Sequence, residues 1–336
     1  MRDWSAERIA EAARAHLAAA PAAASGPERA TIDSRSVGPG ELFVGLPGSD
    51  RDGGAFAAQA IASGAWGALI APLHEDAAIS AAAGRASGAA VLVSEDPLRA
   101  LQALASAWRR EMRARVIGVT GSTGKTSTKE LLRALLAPQL ATVASTANFN
   151  TEIGLPLELL AAPQSTEALV LEMGMRGRGQ IAELAAIAAP QIGVIVSVGP
   201  VHLELLGTVQ AVAAAKAELI AALPAGGTAV VPAGERLLAA HLRSDVETVS
   251  FGPGGDVRLI DRRGASVTID ARGETIELEV GFHQAHLLID LLAAVAAARA
   301  AGVTPSGPVP YEPGQGRGRR TTVAGGVTVI DDCYNA

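Results

Sequence analysis

The chain has 336 residues, 49% apolar but only 3% aromatic, with a formal net charge of −6. Such a length supports two or three domains packed by alanine, leucine and valine, and the acidic balance argues against nucleic acid as a partner. No apolar run reaches the roughly 18 residues that cross a bilayer. Asp3, Glu7 and Glu11 exclude a leader pattern, and the lone Cys333 excludes an internal disulfide, so the expectation is a cytoplasmic monomer without membrane insertion.

In chain order, Ser5 caps a first helix with Ile9, Ala13 and Leu17 on one face. Strand-like runs follow at Leu42–Val44, Ala68–Ile70 and Val91–Val93, with a helix near 56–62, making a small α/β unit over residues 1–96. A helix from Leu98 to Arg113, striped by Leu101, Leu104 and Trp108, opens a second unit, residues 97–312. There, strands ending at Thr120 and at 168–172, 192–197 and 228–231 alternate with helices near 180–189, 209–223 and 235–243. That order predicts an α/β fold, a mostly parallel sheet with helices on both faces. Residues 257–280 read instead as an antiparallel hairpin, 266–270 with 275–280, before a helix over 283–301. Residues 313–336 read as a linker and the start of a further domain. The strand at 327–330 arrives with no helix to cover it, so most of that domain is expected to be missing.

The strongest chemical signal lies between Arg115 and Thr128. A β-branched run, Val116–Thr120, enters the turn Gly121-Ser122-Thr123-Gly124, and Lys125-Thr126-Ser127 opens a helix carrying Leu131, Leu132, Leu135 and Leu136. The glycines let backbone N–H groups face a phosphate, and the helix start favours an anion. In such a loop Lys125 reaches the β- and γ-phosphates of ATP and the Thr126 hydroxyl ligates Mg²⁺. The strict G-x-x-x-x-G-K-[ST] pattern is missed by one residue: Val119 stands where the first glycine belongs, next to Gly118. Glu172 closes the run Leu169-Val170-Leu171. At the C-terminal end of a central strand it either meets ligand, holding a second Mg²⁺, or is a solvated strand-end acid. His202 follows the strand ending at Ser197, as a ligand or as a capping residue. Lysine is nearly absent: Lys125, Lys129 and Lys216 are the only three, which directs attention to amine chemistry at Lys216.

Together these segments resemble the Mur ligases, ATP-dependent amide-forming enzymes of peptidoglycan precursor synthesis. The marks are Asp33-Ser34-Arg35 with Pro39–Val44, Thr120–Thr126, Asn148-Phe149-Asn150-Thr151-Glu152, Glu172-Met173-Gly174-Met175, His202-Leu203-Glu204, Lys216-Ala217-Glu218 and Asp331-Asp332-Cys333-Tyr334-Asn335. Within the family, the asparagine-rich segment, Glu-Met-Gly and the final motif are similar to the members that add D-alanyl-D-alanine to UDP-N-acetylmuramoyl-tripeptide. The resemblance implies a UDP-sugar domain, a central ATPase domain and a C-terminal dinucleotide-fold domain. It implies phosphorylation of the tripeptide carboxylate by ATP, then attack of the dipeptide amine on the acyl phosphate. It also implies roles. Gly121 to Ser127, Gln284 and Arg317 would hold the nucleotide, and Thr126 its Mg²⁺. Glu172, His202 and a Lys216 carbamylated by CO₂ would hold a second Mg²⁺, and Asp33, Ser34, Arg35, Asn148, Asn150 and Glu152 would meet the UDP-substrate. Plain alternatives are a solvated helix lysine at 216, a surface turn at 33–35 and asparagine turn formation at 148–150.

Two departures stand out. Asp52-Gly53-Gly54-Ala55-Phe56 lacks the family's histidine at position 54, and Leu287 replaces an asparagine on the adenine side, where it cannot hydrogen-bond. They keep two rivals open: a sibling ligase, including the folylpolyglutamate type, and a nucleotide-binding homologue without turnover.

Overall fold

A computed structural model describes residues 1–22, 25–146, 149–312, 319–331 and 333. The first unit is built from α1 (Ala6–Ala13), β1 (His16–Ala19), β2 (Arg29–Thr31), β3 (Glu41–Val44), α2 (Ala57–Ala62), β4 (Gly67–Ile70), α3 (Glu75–Ala83) and β5 (Ala90–Val93). Its five strands lie in the order β1-β5-β4-β3-β2, all pairs parallel except β1 with β5. Side chains alternate across the pleat: Ala68 and Ile70 of β4 face α2 and α3, and Leu69 faces the other layer.

That other layer contains α4 (Pro97–Glu111), capped by the Asp96 carboxylate on Arg99 N–H. Leu101, Leu104, Ala105 and Trp108 of α4 join one core with α1, with the first sheet and with the helices below. Trp108 packs edge-on against Trp4 at 5.4 Å and donates its indole N–H to Ala162 O. The helix is a shared wall.

The second unit continues with β6 (Arg115–Thr120), α5 (Lys125–Leu136), β7 (Thr142–Ala144), α6 (Gly154–Ala161), β8 (Ala168–Glu172), α7 (Gln180–Ala188), β9 (Ile192–Ile195), α8 (Leu203–Leu206), α9 (Val209–Ala222) and β10 (Thr228–Pro232). After them come β11 (Glu247–Phe251), β12 (Val257–Arg263), β13 (Ser266–Ala271), β14 (Glu274–Val280), α10 (Ala285–Ala300) and β15 (Gly307–Val309), then a separate hairpin of β16 (Arg319–Thr322) and β17 (Thr328–Asp331). The ten-stranded sheet runs β15-β14-β13-β12-β11-β10-β9-β6-β8-β7. Only β12 with β13 and β13 with β14 are antiparallel. Ile117, Val119, Ala168 and Val170 face α5 and α10; Val116, Leu169 and Leu171 face α4, α6, α7 and α9. The α/β sheet covered on both faces is therefore present.

Several expectations need correction. The first helix stops at Ala13, because Arg14 turns left-handed (φ 54°) and donates to Ala10 O and Glu11 O. Leu17 lies instead on edge strand β1, a reversal that no glycine signals. The stretch expected to be helical at 235–243 is a 3₁₀ turn, Arg236–His241. The strand beginning at Ile192 ends at Ile195, which frees residues 196–202 for the site. The expected hairpin has a third strand, β12.

Candidate functional site

The loop 121–124 leaves β6 at the C-terminal edge of the sheet and enters α5. A Cβ on Gly121 would stand 3.1 Å from Val196 Cβ and 3.2 Å from Ser197 N. Gly124 has φ +80°, and a Cβ there would overlap Asp290 Oδ1 and stand 2.8 Å from Val196 Cγ1. Gly124 excludes a side chain and Gly121 leaves little room for one, which keeps the backbone bare at both positions, as in a loop of the kind that takes a phosphate. Lys125 Nζ folds back onto Gly121 O at 2.9 Å.

Glu172, 3% exposed, accepts from Thr126 Oγ1 at 2.8 Å and from Asn150 Nδ2 at 2.9 Å, and its N–H donates to Ser145 Oγ at 3.0 Å. Lys129, fully buried on α5, donates its amine to Ser145 O and pairs with Glu130 at 3.0 Å. Three sequence-distant segments thus meet at the end of β8. The solvated reading of Glu172 is excluded. Carboxylate and hydroxyl oxygens side by side suit a hard cation such as Mg²⁺, which takes one or two protein oxygens and keeps water and phosphate for the rest. Glu172 and Thr126 are the residues that could hold it.

Lys216 is 2% exposed, so the solvated alternative fails here too. Gly118 and Gly193 let α9 lie close on β6 and β9: Cβ atoms there would be 3.1 and 2.9 Å from Leu219. Lys216, one turn earlier on the same face, is thereby sunk into the interior. Burial, then the charge of Lys125, lowers its amine to about 7. Glu218 points elsewhere and caps α7, accepting from Gly179 N at 2.7 Å and Ala182 N at 3.1 Å. His202 adopts φ 53° at the start of α8, is half-exposed, and holds Nδ1 3.8 Å from Glu204 Oε1. Among the described residues no three His, Cys, Asp or Glu side chains form a metal cluster.

Asp33 and Arg35 form a self-contained turn, with Arg35 Nε and NH2 on the two carboxylate oxygens at 2.8 and 2.9 Å. The hydrogen bonds from Arg35 hold the exposed carboxyl at about 2. The turn follows β2, which packs against α6, the helix entered just after Glu152. Ser34 lies half-exposed inside that turn. The Glu152 carbonyl accepts from Gln102 Nε2 at 3.2 Å. Asn148 and Arg317 lie outside the described residues. Gln284 precedes α10 and turns its amide oxygen onto His283 N at 2.9 Å.

The two departures have structural accounts. Leu287, 4% exposed, is a core residue of α10. A side chain at Gly54 would overlap the ring of His74, whose Nε2 lies 2.8 Å from Asp52 Oδ2; an imidazole thus reaches Asp52 from another segment.

Missed in the sequence were Ser145, Lys129 and Asp290. Asp290 is 5% exposed on α10, is held up at about 7 by burial, and is hydrogen-bonded by Ser127. Lys129 shared the lysine-scarcity signal, and Asp290 is the lone acid in an apolar helix.

The chain matches known proteins along most of its length. The family model described as Mur ligase middle domain matches residues 119–298, and that described as Mur ligase family, catalytic domain, matches 29–109. The chain is 38% identical over 333 residues to the UDP-N-acetylmuramoyl-tripeptide–D-alanyl-D-alanine ligase of Mycobacterium bovis, covering 91% of this chain and 64% of that protein. It is 34% identical to the Bacillus subtilis enzyme of the same name, covering 90% and 66%. Among solved structures, MurF from Acinetobacter baumannii superposes with a TM-score of 0.84 at 27% identity, over 99% of this chain and 73% of that one. MurF ligase from Thermotoga maritima, in complex with ADP, gives 0.77 at 30% identity, over 92% and 71%. The chain therefore spans about two thirds of the length of its curated relatives.

Proposed function

Because this chain belongs to the Mur ligase family, we propose that it acts as the ATP-dependent ligase joining D-alanyl-D-alanine to UDP-N-acetylmuramoyl-tripeptide, in the cytoplasm. The observation that carries this reading is the convergence of Thr126 and Asn150 on Glu172 beside a loop crowded at Gly121 and Gly124. A carboxylate is a poor electrophile because oxide leaves badly; transfer of the γ-phosphate of ATP to it creates a good leaving group. The dipeptide amine then forms the new C–N bond as the C–O bond to phosphate breaks, the amine losing a proton to solvent. The chain's part is to hold two anions together and align them, worth on the order of 7–11 kcal/mol. Bound Mg²⁺ would supply charge neutralisation between the phosphates and the carboxylate, one ion held by Thr126 and a second by Glu172, His202 and Lys216.

Lys216 is read as a carbamate. The reaction, amine plus CO₂ giving N-carboxylate and a proton, requires a neutral amine, and the lowered pKa of about 7 supports that state at physiological pH. A cation about 4 Å from a divalent ion costs roughly 8 kcal/mol at an effective dielectric of 20, and the carbamate reverses the sign. Asp33, Ser34, Arg35, Asn148, Asn150 and Glu152 are proposed to face the UDP-substrate, with Gln284 and Arg317 at the nucleotide. The domain division proposed is 1–96, 97–312 and 313–336, with α4 taken as the start of the second unit.

Radiolabelled D-alanyl-D-alanine, ATP, Mg²⁺ and the UDP-tripeptide, incubated with the full-length gene product, should give labelled UDP-pentapeptide and stoichiometric ADP. Calorimetric binding of both nucleotides without product would favour the homologue lacking turnover instead.

A further inference from the structure

The phosphate loop is fastened to residues 197–199 by a dense polar seam. Ser122 N donates to Ser197 O at 3.0 Å; the Ser122 hydroxyl donates to Gly199 O at 3.1 Å and accepts from Gly199 N at 2.8 Å. Thr123 N donates to Ser197 Oγ at 2.9 Å, and the same hydroxyl donates back to Thr123 O at 3.0 Å. Thr123 Oγ1 lies a further 3.2 Å from Ser197 Oγ. Five residues beyond Ser197 stands His202.

We propose that Ser197 is a positioning residue, coupling the phosphate loop to the segment that carries His202, so that a phosphate on the loop sets where the imidazole stands. The proposal rests on the nucleotide reading above.

Backbone N–H groups are what such a loop offers a phosphate. One of them, that of Thr123, is already spent on the Ser197 hydroxyl. An arriving phosphate oxygen competes for that hydrogen, while Ser197 keeps its donation to Thr123 O and with it a hold on the loop. The adjustment is passed along a short, stiff path. Gly199 is pinned by Ser122, Pro200 has a fixed φ, and Val201 N donates back to Gly199 O at 2.9 Å. His202 then enters the left-handed region, and its Nδ1 sits 3.8 Å from Glu204 Oε1, beyond hydrogen-bond length. The ring's place is therefore inherited from its backbone, and the backbone's place from the seam. No gradual tuning is needed: one hydrogen bond is exchanged for another.

The test is the ring resonances of the six histidines, recorded by ¹H–¹³C correlation on this chain with and without Mg-ADP, the His202 signal being assigned with His202→Gln. In the parent, Mg-ADP should shift the His202 resonance. In Ser197→Ala the shift should fall to half or less at saturating nucleotide, with Kd for Mg-ADP rising less than tenfold, and Ser197→Thr, which keeps the hydroxyl, should restore it. An undiminished shift in Ser197→Ala overturns the proposal, as does a Thr variant as defective as the Ala one. Should Ser197→Ala not fold, Ser122→Ala serves the same comparison, since its hydroxyl is the other half of the seam. A parent chain that binds no Mg-ADP by calorimetry removes the nucleotide reading, and this proposal with it, before any variant is compared.

Discussion

Replacing Lys216 with methionine should make the unliganded chain more stable and the ligase inactive. Methionine keeps the unbranched shape and removes the ammonium, so the packing of α9 against β6 and β9 is largely retained. In the fold the amine is lowered from 10.5 to about 7, mostly by burial. Between those values the unfolded chain carries a proton that the folded chain has dropped, so stability rises with pH across that window. Below about pH 7 the amine is charged in both states and the full penalty is present. At ~1.4 kcal/mol per tenfold change in proton affinity, that penalty is at most about 5 kcal/mol, and local relaxation brings it to the order of 4 kcal/mol. Allowing roughly 1 kcal/mol for imperfect packing of the thioether, Lys216→Met should gain about 3 kcal/mol at pH 6. For a chain of this length that is a rise in Tm of roughly 4 °C, and the gain should shrink towards pH 10. The assay is thermal or urea unfolding from pH 6 to 10 in CO₂-free buffer, beside dipeptide incorporation at pH 8 with bicarbonate. A variant that is less stable than the parent at pH 6, with the same dependence on pH, would refute the reasoning. The amine would then be better solvated, or better partnered, than its burial implies.

How much of this was legible in the sequence depends on whether the determinant was local. The run Leu169-Val170-Leu171-Glu172 announces a buried strand ending in an acid because its neighbours on both faces are apolar. Gly121 and Gly124 announce a loop with two positions bare of side chains. By contrast, Glu247–Phe251 pairs in parallel with β10 although Glu, Thr and Ser dilute its apolar pattern, and only the sheet supplies its partner. The end of the first helix was invisible because a non-glycine residue, Arg14, makes the left-handed turn. The site shows the same divide. The ligands proposed for metal and phosphate lie in motifs, whereas the groups that orient them do not. Ser145 reaches Glu172 from 27 positions away, and Ser197 reaches Thr123 from 74. Hydroxyls are common, and nothing in their local context marks the ones that a β–α–β crossover will bring to a strand end. His74 is the clearest instance: the absence at Gly54 was plain, but its replacement depended on a 3₁₀ turn delivering an imidazole 22 residues beyond Asp52.

Further outcomes follow from the same geometry. Glu172→Gln should raise the Mg²⁺ concentration for half-maximal turnover at least tenfold while moving Tm little, because the amide still meets Thr126 and Asn150; superimposable Mg²⁺ titrations would contradict it. Gly124→Ala should cost at least ~1–2 kcal/mol for the left-handed turn alone, with overlap of Asp290 and Val196 added. Calorimetry should show Mg-ADP affinity at least tenfold weaker, and unchanged affinity would mean that the loop does not receive phosphate. Asp290→Asn should stabilise the chain above neutral pH and leave it unchanged near pH 4. Burial holds this carboxyl at about 7 instead of 3.8, so between those values the folded chain keeps a proton that the unfolded chain has lost. Stability therefore falls as pH rises through that window, and above it the whole cost is present. The amide is neutral throughout and can still pair with Ser127, so unfolding at pH 8 should show a gain on the order of 2–4 kcal/mol. Equal gains at pH 4 and pH 8 would show that packing, rather than a buried charge under the phosphate loop, decides the effect.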